Sequence, residues 1–294
     1  MDLPRRVVLS RKGFDSENGC IPSPILSDGT MISLPIPGAE GTVSYGDLSL
    51  KGHSFGKLVT DLKAKRKTRN KETKLFSAAD RAHLDPDLIG EVCQRKPGWR
   101  PAFGPGGREV SHLRKHEVGK GDLFIFFGWF RRCELYGGYY RFLQESPNIH
   151  VMFGYLRVGN IIRLSYDPVP EWAKYHPHVR FLDFKDNTLF VAADRLGLSG
   201  VADLPGAAMF PKFANALQLT APGMTRSWWR LPNWFYPKPG APSLSYHESR
   251  DRWRLQGDVC LLQSVARGQE FVIDVKNYPE SIEWITDLIR QGMT

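Results

Sequence analysis

The stretch that decides the fold is DLFIFFGWF, Asp122–Phe130, an almost continuous run of apolar and aromatic side chains. A strand with one face in water alternates apolar and polar residues, but no polar residue interrupts the run between Leu123 and Phe127. The pattern is therefore typical of a strand that is buried on both faces, at the centre of a sheet.

Other segments predict neighbours for this strand. HVMFGYLRVGNIIRL, residues 150–164, alternates around Gly154 and Gly159, where we expect a bulge or a sharp bend. Further strands are predicted at Val7–Leu9, in TLFVAADRL (188–196), in LQLTAPG (217–223) and in VCLLQSVARGQEFVIDV (259–275).

Helical signals are few and lie away from these strands. Apolar residues recur at helical spacing over 280–292, which predicts a helix that caps the core, and 80–93 has helical character that Pro86 interrupts. We predict an α+β fold: a single domain over residues 1–294, built around a mixed or antiparallel β-sheet, with helices at the periphery. A barrel or a double-stranded β-helix is an open alternative for the sheet.

Composition narrows the class of protein. With 294 residues, 41% of them hydrophobic, the chain can form a sizeable globular core. No apolar run approaches the roughly 20 residues that span a bilayer, and the opening MDLPRRVVLS lacks the apolar segment of a signal peptide, so we expect a cytoplasmic protein without a membrane partner. Four widely separated cysteines without a CxxC pair favour reduced thiols over disulfides or a zinc ribbon.

The positive charge is concentrated in one segment. KAKRKTRNKETK, Lys63–Lys74, has seven basic residues and one acidic residue, so it carries +6 of the net charge of +9. Two interpretations stay open for this basic insert: a solvated, mobile loop, or an arm that contacts phosphates.

A metal site is predicted in AHLDPDL, where His83 and Asp85 form a His-x-Asp pair. With one distant histidine, such a pair makes the two-histidine, one-carboxylate triad that holds Fe(II) and leaves positions open for co-substrate and oxygen. His247 in LSYH is our first choice for that third ligand, and His176 or His178 in YHPHV is the alternative.

An arginine that lies after His247 in the sequence would supply the co-substrate contact of an oxygenase site. Arg267, in SVARGQEF, could bind a carboxylate of 2-oxoglutarate through its planar guanidinium. A magnesium nuclease is a second possibility, because Glu270, Asp274 and Lys276 in EFVIDVK resemble half of such a site.

Two segments are candidates for substrate binding. LSRKGFDSENG, residues 9–19, turns directly after a predicted strand, and we expect Arg11, Lys12 and Asp15 to face a phosphate or carboxylate. SWWRLPNWFYP, residues 227–237, places Trp229 and Trp234 among basic residues, which suits stacking on a nucleobase but equally suits a core.

Longer motifs carry a resemblance to a known family. These are SRKGFDS, PSPIL, LPIP, HLDPDL, GDLFIFFGWFR, HVMFGYLRVG, HPHV, LTAPG, WRLPNWF, LSYH and RGQEFV, in this order. They resemble the nucleotide modification associated domain 3 family, of the type found with DNA-modification systems, over nearly the whole chain.

The resemblance implies an enzyme that alters a base in DNA or a nucleotide. An oxygenase that depends on Fe(II) and 2-oxoglutarate is the expected version. A non-catalytic reader of modified nucleic acid, similar to PUA and EVE domains, and a magnesium nuclease are the alternatives.

Overall fold

A large mixed sheet forms around the strand that the sequence singles out. The computed structural model describes residues 3–67, 73–180, 186–266 and 268–294. Its strands are β1 (Arg6–Arg11), β2 (Asn18–Gly19), β3 (Ser23–Ile25), β4 (Val43–Ser44), β5 (Ser49–Leu50), β6 (His53–Ser54), β7 (Lys65–Lys67), β8 (Thr73–Leu75), β9 (Arg81–Ala82), β10 (Ala102–Phe103), β11 (Leu123–Tyr136), β12 (Tyr139–Phe142), β13 (Ile149–Arg163), β14 (Thr188–Ala192), β15 (Ala207–Met209), β16 (Trp228–Pro232), β17 (Trp253–Gln256), β18 (Val259–Gln263) and β19 (Glu270–Asp274).

The helices are short and lie outside the sheet. They are α1 (Phe55–Asp61), α2 (Arg108–Lys115), α3 (Pro177–Arg180) and α4 (Glu280–Met293), with 3₁₀ turns at Tyr45–Asp47, Gly90–Val92, Glu171–Ala173, Asn215–Leu217, Asn233–Phe235 and Arg250–Arg252. The predicted C-terminal helix is confirmed as α4, which buries Ile285, Leu288 and Ile289 in the main core. None of the helices in the described ranges is long and apolar enough to cross a membrane.

β11 is the central strand, as its composition predicts. The side chains of Leu123–Phe127 are completely buried, and the strand pairs with β1 in parallel on one side and with β13 in antiparallel on the other. Because both faces and both edges of this stretch are covered, only a run without polar side chains can occupy it.

The two glycines of β13 lie where the pairing is irregular. The register with β11 shifts beside Gly154, and the register with β14 shifts between Val158 and Asn160, at Gly159. A side chain on Gly159 would begin 2.5 Å from the backbone of Ala193, so only glycine allows the strands to approach there. Both predicted irregularities are confirmed.

The sheet is open, and the barrel alternative is not supported. The main path runs β10-β14-β13-β11-β1-β19, with β3, β12 and β15 attached to its central strands. The end strands β10 and β19 do not pair with each other: α2 contacts β19, and an antiparallel bridge joins Asp87 to Ala102 of β10.

Two predicted segments differ from the expectation. LQLTAPG contributes only isolated bridges, at Gln218 and Thr220, because it crosses between strands instead of running along one. Residues 80–93 hold one 3₁₀ turn and a two-residue strand but no α-helix. In the basic insert, β7 pairs with β8, and residues 68–72 between them lie outside the described residues.

Truncation inside β11 should be costly. We expect Phe126→Ala to lower the free energy of unfolding by roughly 3–5 kcal/mol, since the completely buried ring would leave a cavity. Leu135→Ala in the same strand is the control: this side chain is 59% exposed, and we expect a change within about 0.5 kcal/mol. Urea unfolding measures both, and equal effects would contradict the assigned burial.

Candidate metal centre and substrate cavity

A tight turn brings the two side chains of the His-x-Asp pair together. The N–H of His83 donates to the carbonyl of Ile36, and the N–H of Asp85 donates to the carbonyl of His83, each at 2.8 Å. The second bond closes a three-residue turn around Leu84. These bonds hold the segment against the stretch that contains Ile36, with the imidazole of His83 and the carboxylate of Asp85 close to each other.

His178, at the start of α3, completes a cluster with this pair. Its Nε2 lies 3.1 Å from Nε2 of His83 and 3.8 Å from Oδ2 of Asp85. One ligand atom from each of the three residues lies within 4.8 Å of the others, and in the described part of the chain no second group of three potential ligands is this close.

The spacing and the donor types fit a metal ion. Two ligands at right angles around an ion, each at about 2.1 Å, lie about 3 Å apart, which is close to the separation of the two Nε2 atoms. Two imidazoles and one carboxylate form the donor set that non-haem Fe(II) sites use.

The charge states of the cluster suit metal binding. Burial lowers the pKa of His83 to about 4 and that of His178 to about 3, so both rings are neutral and offer a lone pair at neutral pH. Burial alone would raise the pKa of Asp85, but the hydrogen-bonding contact with His176 and the adjacent imidazoles outweigh burial and hold that pKa below its usual value. The site therefore combines a buried anion with two neutral nitrogen ligands.

Gly104 is a member of the site that the sequence did not indicate. Its N–H donates to Oδ1 of Asp85 at 2.7 Å, and a side chain on it would begin 2.6 Å from Cδ2 of His178. The same carboxylate oxygen lies 3.4 Å from Nε2 of His176. Gly104 thus orients the carboxylate and leaves room for the histidine, and the signal for it was the glycine-rich run FGPGG that precedes α2.

A cavity of about 930 Å³ connects the cluster to the loop that follows β1. His83, Asp85 and His178 line it together with Arg11 and Lys12. Asp15 also lines it, and Oδ1 of Asp15 accepts the N–H groups of Glu17 at 2.7 Å and Asn18 at 2.6 Å. The structure therefore brings two separately predicted sites, residues 9–19 and HLDPDL, into one space.

Arg11 and Lys12 have different surroundings in this cavity. Lys12 forms a buried ion pair with Glu270, at 2.7 Å, and its ammonium lies 4.7 Å from the centre of the Phe103 ring. Nη2 of Arg11 donates to the carbonyls of Ala266 at 2.8 Å and Gly268 at 2.5 Å.

His247 is not brought to the cluster. The ring is completely buried, with Nδ1 2.9 Å from the carbonyl of Ser245, and Nε2 accepts the N–H of Val265 at 3.2 Å. It does not line the cavity, and His178 occupies the place that we expected His247 to take.

The two predicted tryptophans also lie apart from the cavity. Trp229 is completely buried and donates its indole N–H to Nδ1 of His150 at 3.0 Å. Trp234 stacks on Phe235 with ring centres 3.9 Å apart, against the main core. Both side chains have packing roles, which is the alternative that the sequence left open.

The remaining predicted residues have separate positions. Arg267 lies outside the described residues. Glu270 and Asp274 stand at opposite ends of β19, about 13 Å apart at a strand rise of about 3.3 Å per residue. Asp274 pairs with Arg6 at 3.1 Å, so the two carboxylates of the nuclease interpretation do not converge on one ion.

The chain matches a known protein family over most of its length. The model of nucleotide modification associated domain 3 matches residues 6–274, which is most of the chain. The chain belongs to the nucleotide modification associated domain 3 family. This confirms the resemblance, and the family's description associates it with nucleotide modification. No curated protein and no solved structure matches the chain.

Gly104→Ala should weaken metal binding at this site while the protein still folds. The added methyl group would displace the His178 ring, so we expect weaker binding of a divalent ion by at least about 10-fold. Gly119→Ala is the matched control, because Gly119, like Gly104, has no positive φ, and its added carbon would meet only Nη2 of Arg5 at 3.9 Å and the carbonyl oxygen of Glu117 at 4.0 Å. Titration calorimetry measures both, and equal metal affinity in the two variants would contradict the assignment.

Buried histidines should make the fold sensitive to acid. Burial lowers the pKa of His150 to about 3 and that of His247 to about 4, whereas both titrate near 6.5 in an unfolded chain. Between pH about 6.5 and about 4 the unfolded state binds more protons, so the free energy of unfolding falls as pH falls, by up to about 1.4 kcal/mol per pH unit for each group.

Urea unfolding of the metal-free protein at several pH values measures this slope. His150→Gln should reduce this slope by about 1.4 kcal/mol per pH unit, which is the contribution of one proton. A stability that does not change between about pH 7 and about pH 5 would contradict the assigned charge states.

Proposed function

We propose that the protein is an oxygenase that depends on Fe(II) and 2-oxoglutarate and modifies a base in DNA or a nucleotide. The observation that carries the proposal is the convergence of His83, Asp85 and His178 at the wall of a large cavity. The family's association with nucleotide modification supports the substrate class.

The three side chains would hold the ion on one face. In an octahedral site, three protein ligands leave three positions, enough for a bidentate co-substrate and oxygen. Bound iron would activate O2, the oxidant, for a reaction that no side chain can perform, and 2-oxoglutarate would supply two of the electrons and leave as succinate and CO2.

The protein's own residues fix the geometry of this centre. Gly104 and His176 contact Oδ1 of Asp85, which leaves Oδ2 on the side of His178. Orientation of a ligating carboxylate by such outer contacts raises metal affinity and excludes alternative arrangements.

Positive charge from Lys12 reaches the cluster, although the ion pair with Glu270 offsets part of it, and this supports an acidic co-substrate. Lys12 lies near enough to disfavour the protonated forms of His83 and His178, which lowers the pKa of both rings beyond the effect of burial. Arg267 stays our proposed partner for the far carboxylate of 2-oxoglutarate, since Val265 and Ala266, which precede it, line the cavity.

Anaerobic titration with Fe(II) and 2-oxoglutarate tests the proposal. We expect one iron per chain, a metal-to-ligand absorption band and succinate release in air, all lost in His83→Ala because one nitrogen ligand is removed. His116→Ala is the matched control, since His116 does not line the cavity and should leave all three signals unchanged.

Each alternative gives a different result in the same experiment. Absence of iron, of the band and of succinate would overturn the oxygenase. Base-dependent binding that persists with chelator and in His83→Ala would instead indicate the non-catalytic reader. Strand cleavage that requires Mg²⁺ and is lost in Asp274→Ala would indicate the nuclease.

A further inference from the structure

A second group of side chains in the cavity has no part in the proposed metal centre. Arg11, Arg226 and His150 all line the cavity. Neither guanidinium forms an ion pair with a carboxylate among the residues that the structure describes. Lys12, by contrast, is already paired with Glu270. The two arginines therefore bring positive charge into the cavity that none of the described side chains balances through direct contact.

Arg226 is held against an aromatic ring. Its Cζ lies 4.0 Å from the centre of the Trp129 ring, and the indole N–H of Trp129 donates to Oδ1 of Asn148 at 2.8 Å. Stacking leaves the edge of a guanidinium, with its N–H donors, available for a planar or tetrahedral anion. Trp129 and Asn148 thus restrict the rotamers of Arg226 before any ligand arrives.

Arg11 is restricted in a similar way. One of its terminal nitrogens donates to the carbonyls of Ala266 and Gly268. These contacts satisfy one end of the guanidinium without neutralising its charge. Asp15 is the acid with the largest electrostatic effect on both arginines, but it forms no ion pair with either, and backbone N–H groups of its own turn occupy its Oδ1.

His150 adds a donor of fixed direction. Because the indole N–H of Trp229 donates to Nδ1, the neutral ring carries its proton on Nε2. Burial and the two arginines keep the ring neutral, with a pKa of about 3. The fully buried Trp229 therefore acts on the cavity indirectly, by setting the tautomer of a residue that lines it.

We propose that Arg11, Arg226 and His150 form a subsite that binds a phosphate group of the nucleotide substrate. The subsite combines two cations with a neutral N–H donor, and phosphate is the nucleotide group that matches such a set. This inference rests on the proposed function only in taking a nucleotide as substrate, and it does not depend on iron or oxidation.

Binding measurements in the presence of chelator test the subsite apart from the metal chemistry. Titration calorimetry would compare the four deoxynucleoside 5′-monophosphates with the parent nucleosides, and a short single-stranded oligodeoxynucleotide would be the third ligand. We expect at least one monophosphate, or the oligonucleotide, to bind about 10-fold or more tightly than the nucleosides. Preference for the monophosphate assigns a terminal phosphate, and binding of the oligonucleotide alone assigns a backbone phosphate.

Arginine variants decide whether the named residues cause the preference. Arg226→Gln should abolish it, and Arg11→Gln serves as the second variant if the first does not fold. Arg254→Gln is the matched control, because Arg254 also stacks on a tryptophan, with Cζ 4.7 Å from the Trp228 ring, but is exposed and does not line the cavity.

His83→Ala separates the two proposals. We expect this variant to keep the preference for phosphate, since His83 belongs to the metal cluster. Equal affinity for nucleotide and nucleoside, absence of nucleotide binding, or a preference that persists in both cavity arginine variants would overturn the subsite. Failure of the iron titration would leave this result unchanged.

Discussion

The burial of one carboxylate, that of Asp85, is the constraint on which the proposed centre depends. The residue is 9% exposed, and an ionised carboxylate in such a place requires donors or cations on every side. The N–H of Gly104 and the rings of His176 and His178 lie around it, and His83 is fixed by the same turn. A divalent ion between the three ligands would balance the remaining charge.

The central sheet connects this centre to the cavity. β1 pairs with β11 from Val7 to Arg11, so the buried run at Leu123–Phe127 determines where Arg11 emerges at the end of β1. Lys12 follows with its N–H bonded to the carbonyl of Phe127. The strand with the fully buried run therefore positions Arg11 and Lys12 at the wall of the cavity, and a loop that is polar in sequence becomes part of a site because its strand is paired within the sheet.

Local patterns in the sequence predicted what local physics determines. The apolar run of β11 predicted its burial, Gly154 and Gly159 predicted the irregularities of β13, and helical spacing predicted α4. The choice between His178 and His247 could not be predicted in this way. Both histidines lie in short polar or proline-containing segments. Only contacts between segments that are distant in sequence place the His178 ring at the cavity and the His247 ring in the core.

Two other residues show the same limit. Gly104 carries no chemical group that a motif search would select, and its role comes from the absence of a side chain beside His178. Trp229 was chosen as a stacking surface from its basic neighbours, but its burial at 0% exposure makes it a hydrogen-bond donor to His150 instead. Contacts between distant segments, not composition, decide both.

The most direct test of the central claim compares the two histidines as the third ligand. Fe(II) binding per chain would be measured anaerobically for His178→Ala and for His247→Asn, which retains a polar side chain in the core. The account predicts that His178→Ala loses the bound iron and that His247→Asn keeps one equivalent. Iron retained by His178→Ala and lost from a folded His247→Asn would contradict it.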